Sequence, residues 1–261
     1  MSARPWNLAE LTYAEVKQRR FEVAVLPLGC TEPHNLHLPY ATDTLESDVI
    51  GDAVCAAAQR AGGRVVLLPT IPYGTTSNQR GLPLSMNVDP ATLFAVLRDL
   101  VHSLEHSHIH KALLLNSHGG NDLKPLLREL YGKTPVRLFL CDWFRALRDV
   151  YHEIFEQADD HAGELETSIA LAYFPQRVAR DPSGALAADE GATRLTRFRA
   201  VNEGWVSITR PWALLTTNTG AGNPHAASAE KGRRAVELLA ERIGGFLAEL
   251  SAAKLDEQFP F

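Results

Sequence analysis

Short apolar runs alternate with longer amphipathic stretches along this chain. Val23–Leu28 is an unbroken apolar run of strand length, and Val65–Leu68, Ala112–Leu115 and Val136–Leu140 repeat the pattern. The stretches between them have helical character. Leu11–Arg20 predicts a short helix ahead of the first strand. Across Thr44–Ala61, Leu45, Val49, Ala53 and Ala57 recur at helical spacing, and Gly62-Gly63 closes the helix as glycine does at a C-cap. Asp89 suits an N-cap, with Pro90 at the first position of a helix reaching His106. Further helices are predicted over Asp122–Tyr131, over Trp143–Gln157, through Ile169–Tyr173 and, at greatest length, over Ser228–Leu250. Residues 175–204 are polar and broken by Gly and Pro, so they read as a surface excursion; Val206–Leu215 reads as a strand or hairpin. Strand, loop, helix, strand in this order is the rhythm of an α/β fold with a mostly parallel central sheet.

Composition narrows the picture. The chain has 261 residues, 45% hydrophobic and 22% charged, which suits one α/β domain over 1–261, with no repeat or linker. A net charge of -5 argues against nucleic acid as a partner, because such binders carry a basic stripe. No apolar run approaches the roughly 18 residues of a membrane span. The stretch Met1-Ser2-Ala3-Arg4-Pro5-Trp6 has no apolar signal core. Cys30, Cys55 and Cys141 are an odd, sparse set that fits reduced thiols and a cytoplasmic protein.

The chemistry gathers where the apolar runs end. After Leu28, Gly29 and two prolines stop regular structure, and Glu32, His34, His37 and Asp43 follow. Carboxylates and imidazoles after a strand are the donors of a divalent metal site. The third run ends in Asn116-Ser117-His118-Gly119-Gly120-Asn121, and a fourth segment brings Asp160, His161, Glu164 and Glu166. Residues 75–89 form a long loop of a kind that is often functional. Ligands of an open α/β sheet bind beyond the carboxyl ends of its strands, so these segments should meet there. Asn121 is a candidate pocket residue, and Tyr73 and Trp143 could wall a planar substrate. His37 reads as a structural histidine beside the ligands. The histidines at 102, 106, 108 and 110 lack a carboxylate or cysteine framework and read as a solvated helix end. As a nucleophile, Cys30 would be redundant beside a metal-activated water.

The motifs Gly29-x-Thr31-Glu32-x-His34-x-x-His37-Leu38-Pro39-x-x-Thr42-Asp43, Asn116-x-His118-Gly119-Gly120-Asn121 and His161-Ala162-Gly163-x-x-Glu166-Thr167-Ser168 resemble the creatininase (creatinine amidohydrolase) family, in the same order. Gly222-Asn223-Pro224 and Ala229-Glu230-Lys231-Gly232 resemble its C-terminal segment. The resemblance implies a three-layer α/β/α domain assembled as a homo-oligomer, often a hexamer. It implies two divalent ions, zinc first, with manganese or iron in some members. Carried over by position, Glu32 and His118 bind one ion, His34 the other, and Asp43 bridges. A hydroxide between the ions would attack the carbonyl of a small amide or cyclic amide. His161 matches the residue that shuttles the proton, and Asp160 a carboxylate that contacts substrate.

Three positions depart from the pattern. Gly120 stands where creatininase itself has a glutamate ligand, so Glu166 becomes the fifth ligand, with Glu164 as the alternative. Pro33-His34-Asn35-Leu36-His37 replaces Gln-His-Gly-Pro-His, and Leu82-Pro83-Leu84-Ser85 replaces Phe-Pro-Gly-Thr. The neighbours of the ligands therefore differ from creatininase, whose substrate need not be this chain's. A deformylase or small-peptide amidase, a hydrolase of a cyclic keto-sugar, and a metal-stabilised binding protein are the alternatives.

Overall fold

The computed structural model describes residues 4–261; Met1–Ala3, at the start of the stretch read above for a signal core, lie outside the described residues. The helix α1 (Tyr13–Lys17) begins in a capping box, in which Thr12 and Glu15 satisfy each other's backbone amides. The apolar runs then become β1 (Val23–Leu28), β2 (Val65–Leu67), β3 (Lys111–Asn116) and β4 (Arg137–Asp142). They form one sheet in the order β2-β1-β3-β4, with every pairing parallel. Val25 sits opposite Leu67 on one side and Leu113 on the other, and Leu113 opposite Phe139.

Strand alternation gives the sheet two apolar faces. Val23, Val25, Leu113 and Leu115 face a layer made by α2 (Thr42–Arg60), α6 (Glu164–Tyr173) and α9 (Ala229–Ala252). Ala24, Leu26, Ala112 and Leu114 face α3 (Pro90–His106) and α4 (Lys124–Leu130). The result is the three-layer α/β/α arrangement. Within the first layer α9 packs on both α2 and α6. Its C-terminus is closed by the buried amine of Lys111, which donates to the carbonyls of Leu250, Ser251 and Ala253 at 2.8, 3.1 and 2.9 Å.

Two expectations need correction. Trp143–Gln157 is not one helix: a 3-10 turn over Trp143–Leu147 precedes a single turn, α5 (Tyr151–Ile154). Trp143 anchors the first piece in the interior, and Phe155 buries the end of the second. Val206–Leu215 holds no strand. Trp205, Val206 and Ile208 are exposed, Pro211 cannot donate to a ladder, and the segment ends as α8 (Trp212–Leu215), after a similar turn at α7 (Arg199–Asn202). The helix expected over Thr44–Ala61 forms as α2; Asp43, Glu46, Ile50, Val54 and Ala58 point inward, while Leu45, Val49 and Ala53 pack at the margin.

The contact between α9 and α6 depends on Gly232, where any Cβ would run into the backbone carbonyl of Ser168. Gly232→Ala should therefore destabilise the protein by about 1–3 kcal/mol, read as a lower urea midpoint. Gly245 lies in the same helix with nothing near its would-be Cβ. Gly245→Ala should raise stability by about 0.5–1 kcal/mol. Equal effects at both positions would contradict the packing described.

Candidate metal centre

The strand order creates the site. From β1 the chain returns to β2 on one side, whereas β3 is followed by β4 on the other. The loops leaving β1 and β3 therefore diverge and leave a crevice between their carboxyl ends. Gly29 ends β1 with no room for a side chain, because the backbone and hydroxyl of Thr44 lie against it. That contact draws the first turn of α2 under the strand end and places Asp43 inside. Between them, Glu32 and His34 come from the loop after β1. His118 comes from the loop after β3, His161 and Glu166 from the entry and first turns of α6.

Each imidazole has one nitrogen occupied by a backbone carbonyl. His34 Nδ1 donates to the Glu32 carbonyl at 3.0 Å, His118 Nε2 to that of Thr75 at 2.9 Å, and His161 Nε2 to that of Pro33 at 2.9 Å. A carbonyl can only accept, so these nitrogens carry a proton whether the ring is neutral or charged, and the opposite nitrogens are the ones open to a cation. The free nitrogens all face carboxylates. His118 Nδ1 lies 3.1 Å from Glu32 Oε1 and 3.3 Å from Asp43 Oδ2. His34 Nε2 lies 3.2 Å from Asp43 Oδ1 and 3.9 Å from Glu166 Oε2. His161 Nδ1 lies 3.7 Å from Glu32 Oε1, its ring 4.2 Å from that of His34. Asp43 thus turns one oxygen to each of two histidines. Its Oδ2 is buried and has no hydrogen-bond partner among the described residues.

The electrostatics point the same way. Burial disfavours charge on His34, yet Asp43, Glu166 and Glu32 override it and lift its pKa to about 10. Burial opposes charge on His118 too, and Glu32 and Asp43 again raise it well above the ordinary imidazole value. Burial together with Asp43 pushes Glu166 up to about 8, although His34 pulls the other way. Burial lowers His161, with the neighbouring His34 adding to the effect. The cluster calls for positive charge where protons alone now supply it. Divalent cations would displace those protons and use the same lone pairs. Three groups of donors lie close enough to share an ion: Cys30/Asp43/His118, Glu32/His34/His161 and His34/Asp43/Glu166.

The two carboxylates of α6 part company. Glu166 Oε2 accepts from the Ala162 amide at 2.6 Å on the side of the cluster. Glu164 turns away, accepting from the Glu156 amide at 2.8 Å and pairing with Lys231. Gly120 explains the missing glutamate: a Cβ there would collide with His118 Nε2 and the Thr75 carbonyl, the bond that orients His118.

A cavity of about 520 Å³ opens above the cluster and is lined by Glu32, Asp43, His118, His161 and Glu166, and by Asn121, Trp143 and Asp160. Asn121 accepts from the Thr75 amide at 2.9 Å and donates to Asn116 at 3.0 Å, so it also fixes the carbonyl that holds His118. Trp143 donates to Ser117 Oγ at 2.7 Å, presenting its ring edge to the cavity wall. Asp160 is exposed at the mouth, its amide bonded to the Ala221 carbonyl at 2.8 Å. Tyr73 is placed differently from expectation. It is 48% exposed and lines no part of this cavity, because Thr31 binds the Pro72 carbonyl and the loop turns outward there. His37 stays behind the site, bonded to the Thr167 hydroxyl at 2.8 Å rather than to backbone.

Sequence reasoning missed three side chains. Gln79 donates to Glu32 Oε2 from within the long 75–89 loop, whose polarity marked it only as functional in general. Asp159 accepts from the Tyr151 hydroxyl at 2.6 Å and the Leu165 amide at 2.9 Å, which locks the entry to α6. Glu46 is fully buried one turn after Asp43, with neither oxygen partnered among the described residues. Burial, with Glu166 and Asp43 nearby, raises its pKa well above the carboxylate range, so it is held as the neutral acid. A charged residue one helical turn from a ligand was the available signal for it.

Comparison with known proteins follows this geometry. The family model described as "Creatininase: Creatinine amidohydrolase" matches residues 9–247. The creatinine amidohydrolase of Pseudomonas putida is 29% identical over 67% of this chain and 74% of its own. A mycofactocin precursor peptide peptidase of Mycobacterium ulcerans (strain Agy99) is 28% identical over 80% of this chain and 78% of its own. The 3-dehydro-scyllo-inosose hydrolase of Thermotoga maritima is 23% identical over 96% of this chain and 83% of its own. Among solved structures, a Bacteroides fragilis NCTC 9343 protein, provisionally described as a creatinine amidohydrolase, superposes with a TM-score of 0.88 at 35% identity, covering 98% of this chain and 100% of that one. A manganese form of creatininase gives a TM-score of 0.76 at 22% identity over 95% of this chain and 99% of that one, a likeness of fold.

Asn121→Ala should leave the buried Thr75 amide without its acceptor and cost about 1–3 kcal/mol, measured by urea unfolding. A variant as stable as the parent would mean that Asn121 does not hold this loop.

Proposed function

The chain belongs to the creatininase family, and from that premise we propose that it is a dinuclear metal-dependent amidohydrolase that cleaves a C–N bond in a small amide or cyclic amide. The observation that carries this reading is Asp43, a buried carboxylate with one oxygen toward His118, which also faces Glu32, and the other toward His34, which also faces Glu166. The donor set fits two divalent ions, zinc first and manganese or iron as alternatives. Glu32, His118 and Asp43 would hold one; His34, Asp43 and Glu166 the other. When bound, such ions polarise a carbonyl and acidify water near neutral pH.

The rest falls to the chain's own side chains. His161 Nδ1 faces the cluster unprotonated while Pro33 fixes the ring. Burial lowers its pKa, which keeps it neutral and able to take a proton and return it to a leaving nitrogen. Asp160, at the mouth, is placed to meet a polar or cationic part of the substrate. A cavity of about 520 Å³ suits a small molecule. Its lining by Ser117, Asn121, Asp122 and Asp142 favours a substrate rich in hydrogen-bonding groups. That polarity also supports a second reading, hydrolysis of a cyclic keto-sugar, the kind of substrate named for the Thermotoga maritima relative.

No helix among the described residues is long and apolar enough to cross a membrane. We further propose homo-oligomer assembly, supported by the exposed Phe198, Trp205, Ile208 and Leu214.

Metal analysis of protein purified without chelator tests the centre. The expected content is about two ions per chain, falling below one in Asp43→Ala. Glu166→Gln should lose one ion and Glu164→Gln none. Less than one ion in the parent, unchanged in Asp43→Ala, would defeat the proposal. A substrate panel then separates the activities: ring opening, released formate or amino acid, or keto-sugar hydrolysis without a nitrogen leaving group. Chelator should abolish whichever is found, and His161→Ala should lower kcat by about 10²–10⁴ with metal content retained.

A further inference from the structure

Cys30 takes no part in the mechanism above, yet its thiol is 0% exposed and stands against the same cluster. It lies two residues before Glu32 in the loop leaving β1. Its sulfur, an Asp43 carboxylate oxygen and a His118 ring nitrogen lie within 4.8 Å of one another. His118 Nε2 is occupied by the Thr75 carbonyl, so the nitrogen available to this group is Nδ1, which also faces Glu32. Asp43 Oδ2 points into the same space, buried and without a hydrogen-bond partner. One sulfur, one nitrogen and one carboxylate oxygen thus lie together, and Glu32 Oε1 reaches the same His118 nitrogen at 3.1 Å. The other position has no sulfur: His34, Asp43 and Glu166 offer nitrogen and oxygen alone.

We propose that Cys30 is a ligand of the metal position formed by Glu32, Asp43 and His118, and that its sulfur makes this position selective for zinc while the His34–Glu166 position accepts harder ions. The inference rests on the metal reading of the site and deepens it. A thiolate favours zinc over manganese, whereas an oxygen-rich set does not discriminate in that direction. Four protein donors including sulfur also make a familiar tetrahedral zinc set. Ligation breaks the S–H bond. The sulfur electron pair goes to the ion, the proton leaves to solvent through the cavity, and nothing is oxidised or reduced.

The test uses the full chain purified from cobalt-supplemented medium, with cobalt counted by metal analysis. The parent should show a near-ultraviolet thiolate-to-cobalt charge-transfer band. Cys30→Ser should lose the band while still binding cobalt. Dialysed against a zinc and manganese mixture, the variant should show a zinc preference lower than the parent's by at least about tenfold. Cobalt bound without the band in the parent, or a band that survives in Cys30→Ser, would overturn ligation by Cys30 and leave the metal reading standing. No cobalt uptake by the folded parent would overturn both. Should Cys30→Ser fail to fold, the parent spectrum alone decides.

Discussion

The structure depends on a single arrangement: three buried imidazoles, each clamped by a backbone carbonyl so that its free nitrogen meets a carboxylate. The carbonyls belong to Glu32, Pro33 and Thr75, all in loops beyond the strand ends. Those loops can approach one another only where the strand order reverses, between β1 and β3. Sheet topology therefore sets ring orientation, and ring orientation sets which nitrogen is free. Gly120 belongs to the same constraint, since the hydrogen bond from His118 to Thr75 leaves no room for a side chain. The loss of a glutamate there and the inward turn of Glu166 are two sides of one geometric choice.

Burying Asp43, Glu32 and Glu166 together opposes folding unless positive charge accompanies them. Protonated His34 and His118 can supply some of it, which is why their affinities for protons rise despite burial. Glu46 finds no such partner and is kept neutral instead. The polar centre thus gathers buried carboxylates whose charge a bound cation would offset. The surrounding layers bear the mechanical load, through the close approach of α9 to α6 and the Lys111 clamp on the end of α9.

Much of this was legible in the sequence because two signals are local. Apolar runs of strand length gave all four strands, and the Glu32-x-His34 and His118 motifs sit immediately after two of them. What escaped was non-local. Periodicity marked α2 as a helix but counts apolar residues alone, while its buried face also carries Asp43. Glu46 and Ser47 then occupy interior positions that no apolar count would assign. Gln79 and Tyr73 exchanged places for a similar reason. Which side chain of a long loop faces the centre is decided by contacts such as Thr31 with Pro72, far apart in sequence. The 205–211 segment carried strand-like residues but found no sheet edge to join.

The residues that depart from the usual family wording have structural work of their own. Pro33 supplies the carbonyl that orients His161. Asn35, in a left-handed conformation at φ 54, donates to the Asp189 carbonyl at 2.8 Å, and its amide donates to Thr219 Oγ1 at 2.8 Å. The loop that carries Glu32 and His34 is thereby tied to the 175–204 excursion at Asp189 and to the turn at Thr219 beyond it. Asp160 and His161 are fastened to the same turn through Ala221. Substitutions in the first loop and the shape of the cavity mouth are consequently coupled, since one set of hydrogen bonds positions both. The tether shapes the cavity mouth without altering the carboxylates and imidazoles of the cluster. A change at Asn35 would be felt at Asp160, outside the cluster of Glu32, His34, Asp43, His118 and Glu166.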